Sequence, residues 1–246
     1  MYAIILAGGL GLRLRPLTNR KPKPMVEILR KPILEYQIEW LKSQGIENFV
    51  IACGYRHEKI VKYFGDGEKF GVKIQYSVEK EKLGTGGGIK QALSYIDKNE
   101  ENIVVTNGDI ISTIDLKPML EYHKETSFLA TILLVPFKSP YGIVDVDETN
   151  RIRGFREKPE LPYWINGGVY VIRKAVVDFL PEKGDIEKET FPILAEKGLL
   201  GSYKSRGFWR AIDTIKDLSE IESDLQKILM KALLESASEV SSEGGV

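Results

Sequence analysis

The chain has 246 residues, and its 35 lysines and arginines are balanced by 35 aspartates and glutamates. This balance argues against a nucleic-acid-binding protein or one held on an anionic membrane surface, and no apolar run is long enough to span a bilayer. The single cysteine, Cys53, excludes an internal disulfide and a cysteine metal cluster, and we expect it in the core. Because an apolar strand follows Met1 directly, we expect no signal peptide and a cytoplasmic location.

Strand and helix patterns alternate along the first half of the chain. Strands are predicted over Tyr2–Leu6, Asn48–Cys53, Lys73–Ser77, Asn102–Asn107 and Phe128–Val135, and helices over Ile33–Gln44, Glu58–Phe64, Gly88–Ile96 and Leu116–Lys124. This order predicts an α/β fold with a Rossmann-like, mostly parallel mixed sheet and helices on both faces. Ligands of such sheets bind beyond the carboxyl ends of the strands.

The second half of the chain is less regular. Its predicted elements are a hairpin of Gly142–Asp147 and Ile152–Arg156, a strand over Val169–Ile172, helices over Lys174–Leu180 and Asp185–Glu196, short strands over Leu199–Ser205 and Phe208–Ala211, and a helix over Thr214–Leu234. Pro192 interrupts the second of these helices. No linker rich in proline, glycine and serine separates the two halves. We therefore expect a single domain over 1–225, followed over 226–246 by a helix end and a flexible tail.

A glycine-rich loop directly follows the first strand and is the most informative motif of the chain. It reads Leu6-Ala7-Gly8-Gly9-Leu10-Gly11 and is followed by Arg13 and Lys23. Bare backbone amides with cations behind them are typical of a phosphate-binding loop. The spacing matches neither a P-loop nor a dinucleotide fingerprint, and the prolines that follow argue against a long helix. The plainer alternative is a flexible turn and a solvated basic loop.

Two aspartates are candidates for a metal site. Asp109 comes directly after the strand Asn102–Asn107 and Gly108, and Asp213 precedes the last predicted helix. Mg²⁺ prefers one or two carboxylates completed by phosphate oxygens and water, so both aspartates suit Mg²⁺ beside a phosphate loop. The plainer alternatives are a turn cap for Asp109 and a helix N-cap for Asp213.

A second glycine-rich turn, Leu83–Gly88, opens a helix whose N-terminal amides suit a nucleotide. The remaining conspicuous residues favour plainer roles. His57 and His123 have no partner at metal-ligand spacing, so we expect both on the surface.

Taken in order, these motifs resemble those of the sugar-1-phosphate nucleotidylyltransferases, also called NDP-sugar pyrophosphorylases, over about residues 1–225. Glu157-Lys158-Pro159 resembles the Glu-Lys-Pro motif of that family. The chain departs from the family at Leu12, where threonine is usual, and at Thr214, which follows Asp213 without the usual intervening glycine. Three segments most resemble mannose- and manno-heptose-1-phosphate guanylyltransferases: Ile165–Tyr170, Gly84–Gly88 and Asp185–Pro192.

The resemblance implies a nucleotide-binding half over 1–135 and a sugar-binding half over 136–225. It implies nucleotide contacts from Leu6, Ala7, Gly8, Gly9, Gly11, Glu79, Gly84 and Thr85, and sugar-phosphate contacts from Gly142, Glu157, Lys158, Asn166 and Gly168. It makes Arg13, Lys23 and Lys158 catalytic, and it makes Asp109 and Asp213 the ligands of Mg²⁺, the implied cofactor. Glu79 stands where the family reads the base, and a carboxylate accepts from both N1–H and N2–H₂ of guanine, which favours GTP.

The implied reaction joins a sugar 1-phosphate to a nucleoside triphosphate and yields an NDP-sugar and pyrophosphate. GTP and mannose 1-phosphate match best, and a glucose-1-phosphate thymidylyl-, uridylyl- or cytidylyltransferase is the first alternative. A catalytically dead regulatory subunit that senses nucleotide sugars is the non-enzyme alternative. Such relatives typically lose the arginine, the lysine or the aspartates, which are all present here. We expect neither nucleic acid nor membrane as a partner, and association between copies is left open.

Overall fold

A computed structural model describes residues 1–227 of the chain and contains thirteen strands, most of them in one central sheet. The strands are β1 (Tyr2–Ala7), β2 (Glu27–Ile28), β3 (Lys31–Pro32), β4 (Asn48–Cys53), β5 (Lys73–Val78), β6 (Asn102–Asn107), β7 (Ile110–Ser112), β8 (Ala130–Lys138), β9 (Ile143–Val146), β10 (Ile152–Arg156), β11 (Glu160–Arg173), β12 (Leu200–Lys204) and β13 (Trp209–Ala211). The helices are α1 (Ile33–Ser43), α2 (His57–Phe64), α3 (Gly84–Leu93), α4 (Lys117–Glu125), α5 (Phe191–Glu196) and α6 (215–227).

The central sheet has seven strands in the order β12-β8-β11-β6-β1-β4-β5. Strand β11 runs antiparallel to both of its neighbours, β6 and β8. The other four pairings are parallel. The predicted mostly parallel, mixed sheet is therefore confirmed.

Helices cover both faces of this sheet, as predicted. In β1, Ala3, Ile5 and Ala7 join the apolar cluster that holds the buried sides of α1, α2 and α4. Ile4 joins the opposite cluster with the buried sides of α3 and α5. Because its side chains are buried on both faces, β1 reads as an almost continuous apolar run.

Two elements differ from the prediction in length. Helix α3 begins at Gly84, not at Gly88, although glycine disfavours helix; the close backbone packing that favours these glycines is described with the site. Strand β11 reaches back to Glu160, far beyond the predicted Val169–Ile172, and its pairing with β8 shifts register twice. Such bulges redirect side chains and hide strand periodicity in a sequence.

The segment after Asp185 also differs from the single predicted helix. A π-helical turn, Ile186–Thr190, is followed by α5, and Pro192 lies in the first turn of α5. Proline is tolerated there because that turn needs no amide donor. The predicted helix over Thr214–Leu234 is present as α6 as far as residue 227. Its remainder and most of the predicted tail lie outside the described residues.

The prediction for His123 was wrong. The side chain is fully buried on the inner side of α4, and its Nδ1 lies 2.7 Å from Thr131 Oγ1. Burial, together with the charge of Arg173, lowers the pKa of His123 to about 4. Cys53 is buried, as expected, and burial together with the charge of Glu79 raises its pKa to about 12.

A third apolar cluster ties α6 to the loop after β1. Leu14 and Val26 of the loop are buried together with Leu218, Ile221 and Leu225 of α6.

Within residues 1–227, no helix is long and apolar enough to cross a membrane.

Candidate active site

The glycine-rich loop and Asp109 leave the sheet at the same edge. In the parallel pairing of β1 with β6, Leu6 is aligned with Asn107. The backbone N–H of Gly108 donates to the carbonyl oxygen of Leu6 at 2.8 Å. A Cβ on Gly108 would collide with that carbonyl oxygen, so this crossing requires glycine. The two motifs therefore face one crevice beyond the carboxyl ends of the strands, where ligands of such sheets bind.

The loop after β1 folds back so that Lys23 points at Asp109. Gly11 has a φ of +60° and the hydroxyl of Thr18 donates to its carbonyl oxygen at 2.8 Å. A Cβ on Gly11 would lie 2.9 Å from the Cβ of Lys23. The left-handed backbone and the close approach both favour glycine. Gly11 is therefore needed to place Lys23, whatever else it contacts.

Four charged side chains meet at this edge. Lys23 Nζ donates to Asp109 Oδ2 at 2.6 Å and to Asp213 Oδ1 at 2.8 Å. Arg13 donates to the same Asp213 oxygen at 2.8 Å. The structure thus brings together two cations and two carboxylates that are up to 200 residues apart in sequence.

These contacts differ in strength because the side chains differ in exposure. The Lys23 side chain is 12% exposed, whereas that of Arg13 is 71% exposed. Exposed ion pairs contribute little because water screens them. Lys23 is therefore held firmly between the carboxylates, and Arg13 is held loosely enough to turn towards a ligand.

Asp213 is not the N-cap of α6. The backbone amides of Asp213 and Thr214 donate to Asp217 Oδ2 at 3.0 and 2.7 Å, and the amide of Asp217 donates back to Thr214 Oγ1. This reciprocal pattern is a capping box. The carboxylate of Asp213 is left to face Lys23 and Arg13.

Asp109 and Asp213 fit a magnesium site of the kind that a bound phosphate completes. One cation, the Lys23 ammonium, already lies within 2.8 Å of both carboxylates. Two carboxylates with phosphate oxygens and water are the ligand set that Mg²⁺ prefers. Residues 1–227 contain no group of three or more His, Cys, Asp and Glu that could hold a metal, so these aspartates need further oxygens from a ligand.

A cavity of about 280 Å³ opens next to the charged cluster. It is lined by predicted nucleotide-binding residues, namely Leu6, Ala7, Gly8, Gly9, Glu79, Gly84 and Thr85, and also by Lys23 and Asp109. The Glu79 carboxylate is packed against the loop, since a Cβ on Gly8 would lie 2.6 Å from its Oε1. Its Oε2 accepts from the Leu83 amide at 3.1 Å. Gly11 is absent from this lining and instead packs against Lys23.

The amides of the second glycine-rich turn are already used. The backbone N–H groups of Gly86 and Gly87 donate to the carbonyl oxygen of Gly184 at 2.9 and 3.3 Å. A Cβ on Gly84 or on Gly87 would come too close to the backbone of the segment that contains Gly184. The expectation that these amides suit a nucleotide is therefore wrong for Gly86 and Gly87. The glycines allow the segment before α5 to pack on α3.

The predicted sugar-side residues form two groups. A Cβ on Gly142 would lie 3.0 Å from Glu157 Oε2, so these two residues are neighbours. Asn166 is exposed, and its Oδ1 accepts from the Gly168 amide at 2.7 Å. Gly168 has a φ of +66°, and a Cβ there would lie 2.7 Å from Asn107 Nδ2. The second group therefore borders the edge that carries Asp109.

Lys158 does not touch the charged cluster in this structure. It is exposed and has a φ of +45°. The pKa of Glu220 on α6 is lowered first by the hydrogen bond from Arg210, and the charge of Lys158 also lowers it. Lys158 therefore lies on the side of the protein that carries α6 and Asp213.

Several residues of the site carry no motif of their own. Gln91, Asn107 and Asp185 also line the cavity. Within residues 1–227, the buried Oδ1 of Asn107 has no hydrogen-bond partner. The position of Asn107 two residues before Asp109 is the signal that could have identified it.

Strand-end glycines, two cations and two aspartates meet beside one cavity, an arrangement that suits phosphorylated ligands. A family model described as nucleotidyl transferase matches residues 2–228, and the chain belongs to this family.

Among curated proteins, the mannose-1-phosphate guanyltransferase of Saccharomyces cerevisiae is 39% identical over 225 residues, which cover 88% of this chain and 62% of the relative. The chain thus spans less than two thirds of the length of that relative.

Two solved structures share the fold. HddC from Yersinia pseudotuberculosis complexed with GMP-PN has a TM-score of 0.73 and 27% identity, covering 91% of this chain and 99% of that one. A putative glucose-1-phosphate thymidylyltransferase from Bacillus anthracis in complex with a sucrose has a TM-score of 0.73 and 25% identity, covering 91% and 94%.

Proposed function

We propose that this chain transfers the guanylyl group of GTP to mannose 1-phosphate and releases GDP-mannose and pyrophosphate. The observation that best supports this proposal is that four charged side chains meet beside a cavity at the strand ends, namely Arg13, Lys23, Asp109 and Asp213. The 39% identity to a mannose-1-phosphate guanyltransferase supports the choice of substrates.

The proposed reaction needs alignment and charge compensation, not a general base. A phosphate oxygen of the sugar 1-phosphate is already an anion; it forms a bond to the α-phosphorus as the bond to the β-phosphate oxygen breaks, in line. Lys23 would hold the α-phosphate, and the more exposed Arg13 would hold the departing pyrophosphate. Both donors would stabilise charge that grows in the transition state.

The sugar phosphate would be held from the second half of the chain. Lys158 would contact its phosphate, while Glu157, Asn166 and the backbone at Gly142 and Gly168 would contact the sugar. Lys158 must approach the cluster for this role, and its exposed position leaves it room to do so. We retain 1–135 as the nucleotide-binding half and 136–225 as the sugar-binding half of one domain.

Asp109 and Asp213 would hold Mg²⁺ together with phosphate oxygens. When bound, the ion offsets negative charge on the phosphates. Both carboxylates contact one cation, the Lys23 ammonium, and this supports the assignment.

Glu79 would read the base. Its fixed carboxylate lines the cavity, and two adjacent acceptor oxygens match the two adjacent donors of guanine. A cytoplasmic location stays a prediction, and association between copies is left open.

A matrix of nucleoside triphosphates against sugar 1-phosphates tests the proposal. Pyrophosphate release should be fastest with GTP and mannose 1-phosphate, and it should require Mg²⁺. Faster release with dTTP, UTP or CTP and glucose 1-phosphate would favour the first alternative, consistent with the similarity to the Bacillus anthracis protein. No release with any pair would refute an enzyme and favour the regulatory subunit.

A further inference from the structure

A chain of side-chain hydrogen bonds joins the start of α3 to the sugar-side loop. Thr85 Oγ1 donates to Glu187 Oε2 at 2.6 Å. Tyr170 donates its hydroxyl to Glu187 Oε1 at 3.2 Å, and Asn166 Nδ2 donates to the Tyr170 hydroxyl at 3.1 Å. The four residues come from α3, β11 and the π-helical turn, and Thr85 Oγ1 also accepts from the Ile186 amide of that turn at 3.0 Å.

Each hydrogen bond in this chain has a defined direction. The Glu187 carboxylate is the acceptor at its centre, because carboxylate oxygens only accept. Burial raises the pKa of Tyr170, and the charge of Glu187 raises it further, so the hydroxyl keeps its proton and donates. Asn166 cannot turn over, since its Oδ1 already accepts from the Gly168 amide.

The two ends of this chain lie in different binding regions. Thr85 lines the cavity beside Glu79. Asn166 is exposed at a bulge of β11, and one N–H of its amide remains available to a ligand. Tyr170, inside this chain, is fully buried, and a hydrogen-bond network anchored on a buried group restrains the side chains bonded to it.

We infer that Glu187 and Tyr170 are positioning residues that hold Asn166 towards the sugar phosphate and link it to the nucleotide-facing start of α3. This inference rests on the proposed function, because it assigns a ligand to each end of the chain. Under this inference, binding of the sugar phosphate depends on Glu187 and Tyr170, although neither residue contacts a substrate.

Tyr170→Phe removes the hydroxyl and keeps the aromatic ring, so it tests the hydroxyl alone. The ring of Tyr170 packs edge-on against Phe191, with centroids 5.0 Å apart, and phenylalanine keeps that contact. Loss of one hydrogen bond to Asn166 should raise KM for mannose 1-phosphate by about threefold to tenfold. KM for GTP should stay within about twofold, because Thr85 keeps its bond to Glu187.

Glu187→Gln affects both ends. Two donors then face a single remaining acceptor oxygen, so KM for both substrates should rise.

Tyr76→Phe is the matched control for Tyr170→Phe. It also removes one tyrosine hydroxyl, which donates to the Gly65 carbonyl at 2.6 Å, and it should leave both KM values unchanged.

The decisive comparison repeats Tyr170→Phe in an Asn166→Ala background. If Tyr170 acts through Asn166, the substitution should have no further effect on KM for mannose 1-phosphate there. An equal rise in both backgrounds, or an unchanged KM in the single variant, would overturn the inference while leaving the proposed function intact. Wild-type protein without activity on any substrate pair would instead overturn the proposed function, and this inference with it.

Discussion

Lys23→Met is the substitution that most directly tests the site. Methionine keeps an unbranched apolar stem of similar length but removes the ammonium that touches Asp109 and Asp213 at 2.6 and 2.8 Å. Loss of a single donor that stabilises transition-state charge costs about a hundredfold to a thousandfold in kcat. We therefore expect kcat for pyrophosphate release to fall by at least two orders of magnitude.

The same substitution should destabilise the protein only moderately. The side chains of Asp109 and Asp213 are 28% and 32% exposed, so water replaces part of the lost contact. A loss of about 2 kcal/mol would lower Tm by roughly 4–8 °C for a chain of this size, which leaves the protein folded at 25 °C. Lys21→Met is the control, because Lys21 pairs with the exposed Glu27 at 2.9 Å. A kcat for Lys23→Met within about threefold of wild type would refute the electrostatic role.

Four further predictions address the neighbouring parts of the structure. Asp109→Asn should shift the Mg²⁺ titration of activity to higher concentration; an unchanged titration would remove Asp109 from the metal site. Glu79→Gln should raise KM for GTP relative to UTP, and an unaltered ratio would contradict its role in reading the base. Gly11→Ala should reduce kcat in a protein with normal circular dichroism, since the added Cβ lies 2.9 Å from that of Lys23; full activity would show that the loop adapts. Because the pKa of His123 is lowered from 6.5 to about 4 in the folded state, stability should fall as pH drops from 6.5 towards 4, where only the unfolded chain takes up the proton. The Tm of His123→Asn should fall less over this range, and equal slopes would contradict the prediction.

Buried parallel strands were the most predictable part of the fold. The bounds of β6, Asn102–Asn107, agree with the prediction because an apolar run buried on both faces has a clear sequence signature. The position of the glycine-rich loop and Asp109 at one edge of the sheet followed from the rule that ligands bind at the ends of parallel strands.

Local sequence could not show what distant segments contribute. The helical start at Gly84 depends on the carbonyl oxygen of Gly184, one hundred residues away. His123 looked like an isolated surface residue because the partner that favours its burial, Thr131, lies on a neighbouring strand and carries no motif. Glu187 and Tyr170 were hidden for the same reason.

The packing of α6 has a consequence for the integrity of the loop after β1. Leu218, Ile221 and Leu225 share an apolar cluster with Leu14 and Val26, which are sequence neighbours of Arg13 and Lys23. None of the central strands belongs to that cluster. A proteolytic cut just before residue 215 should therefore loosen Arg13 and Lys23 while the sheet stays assembled, so that the proposed activity is lost before the protein denatures.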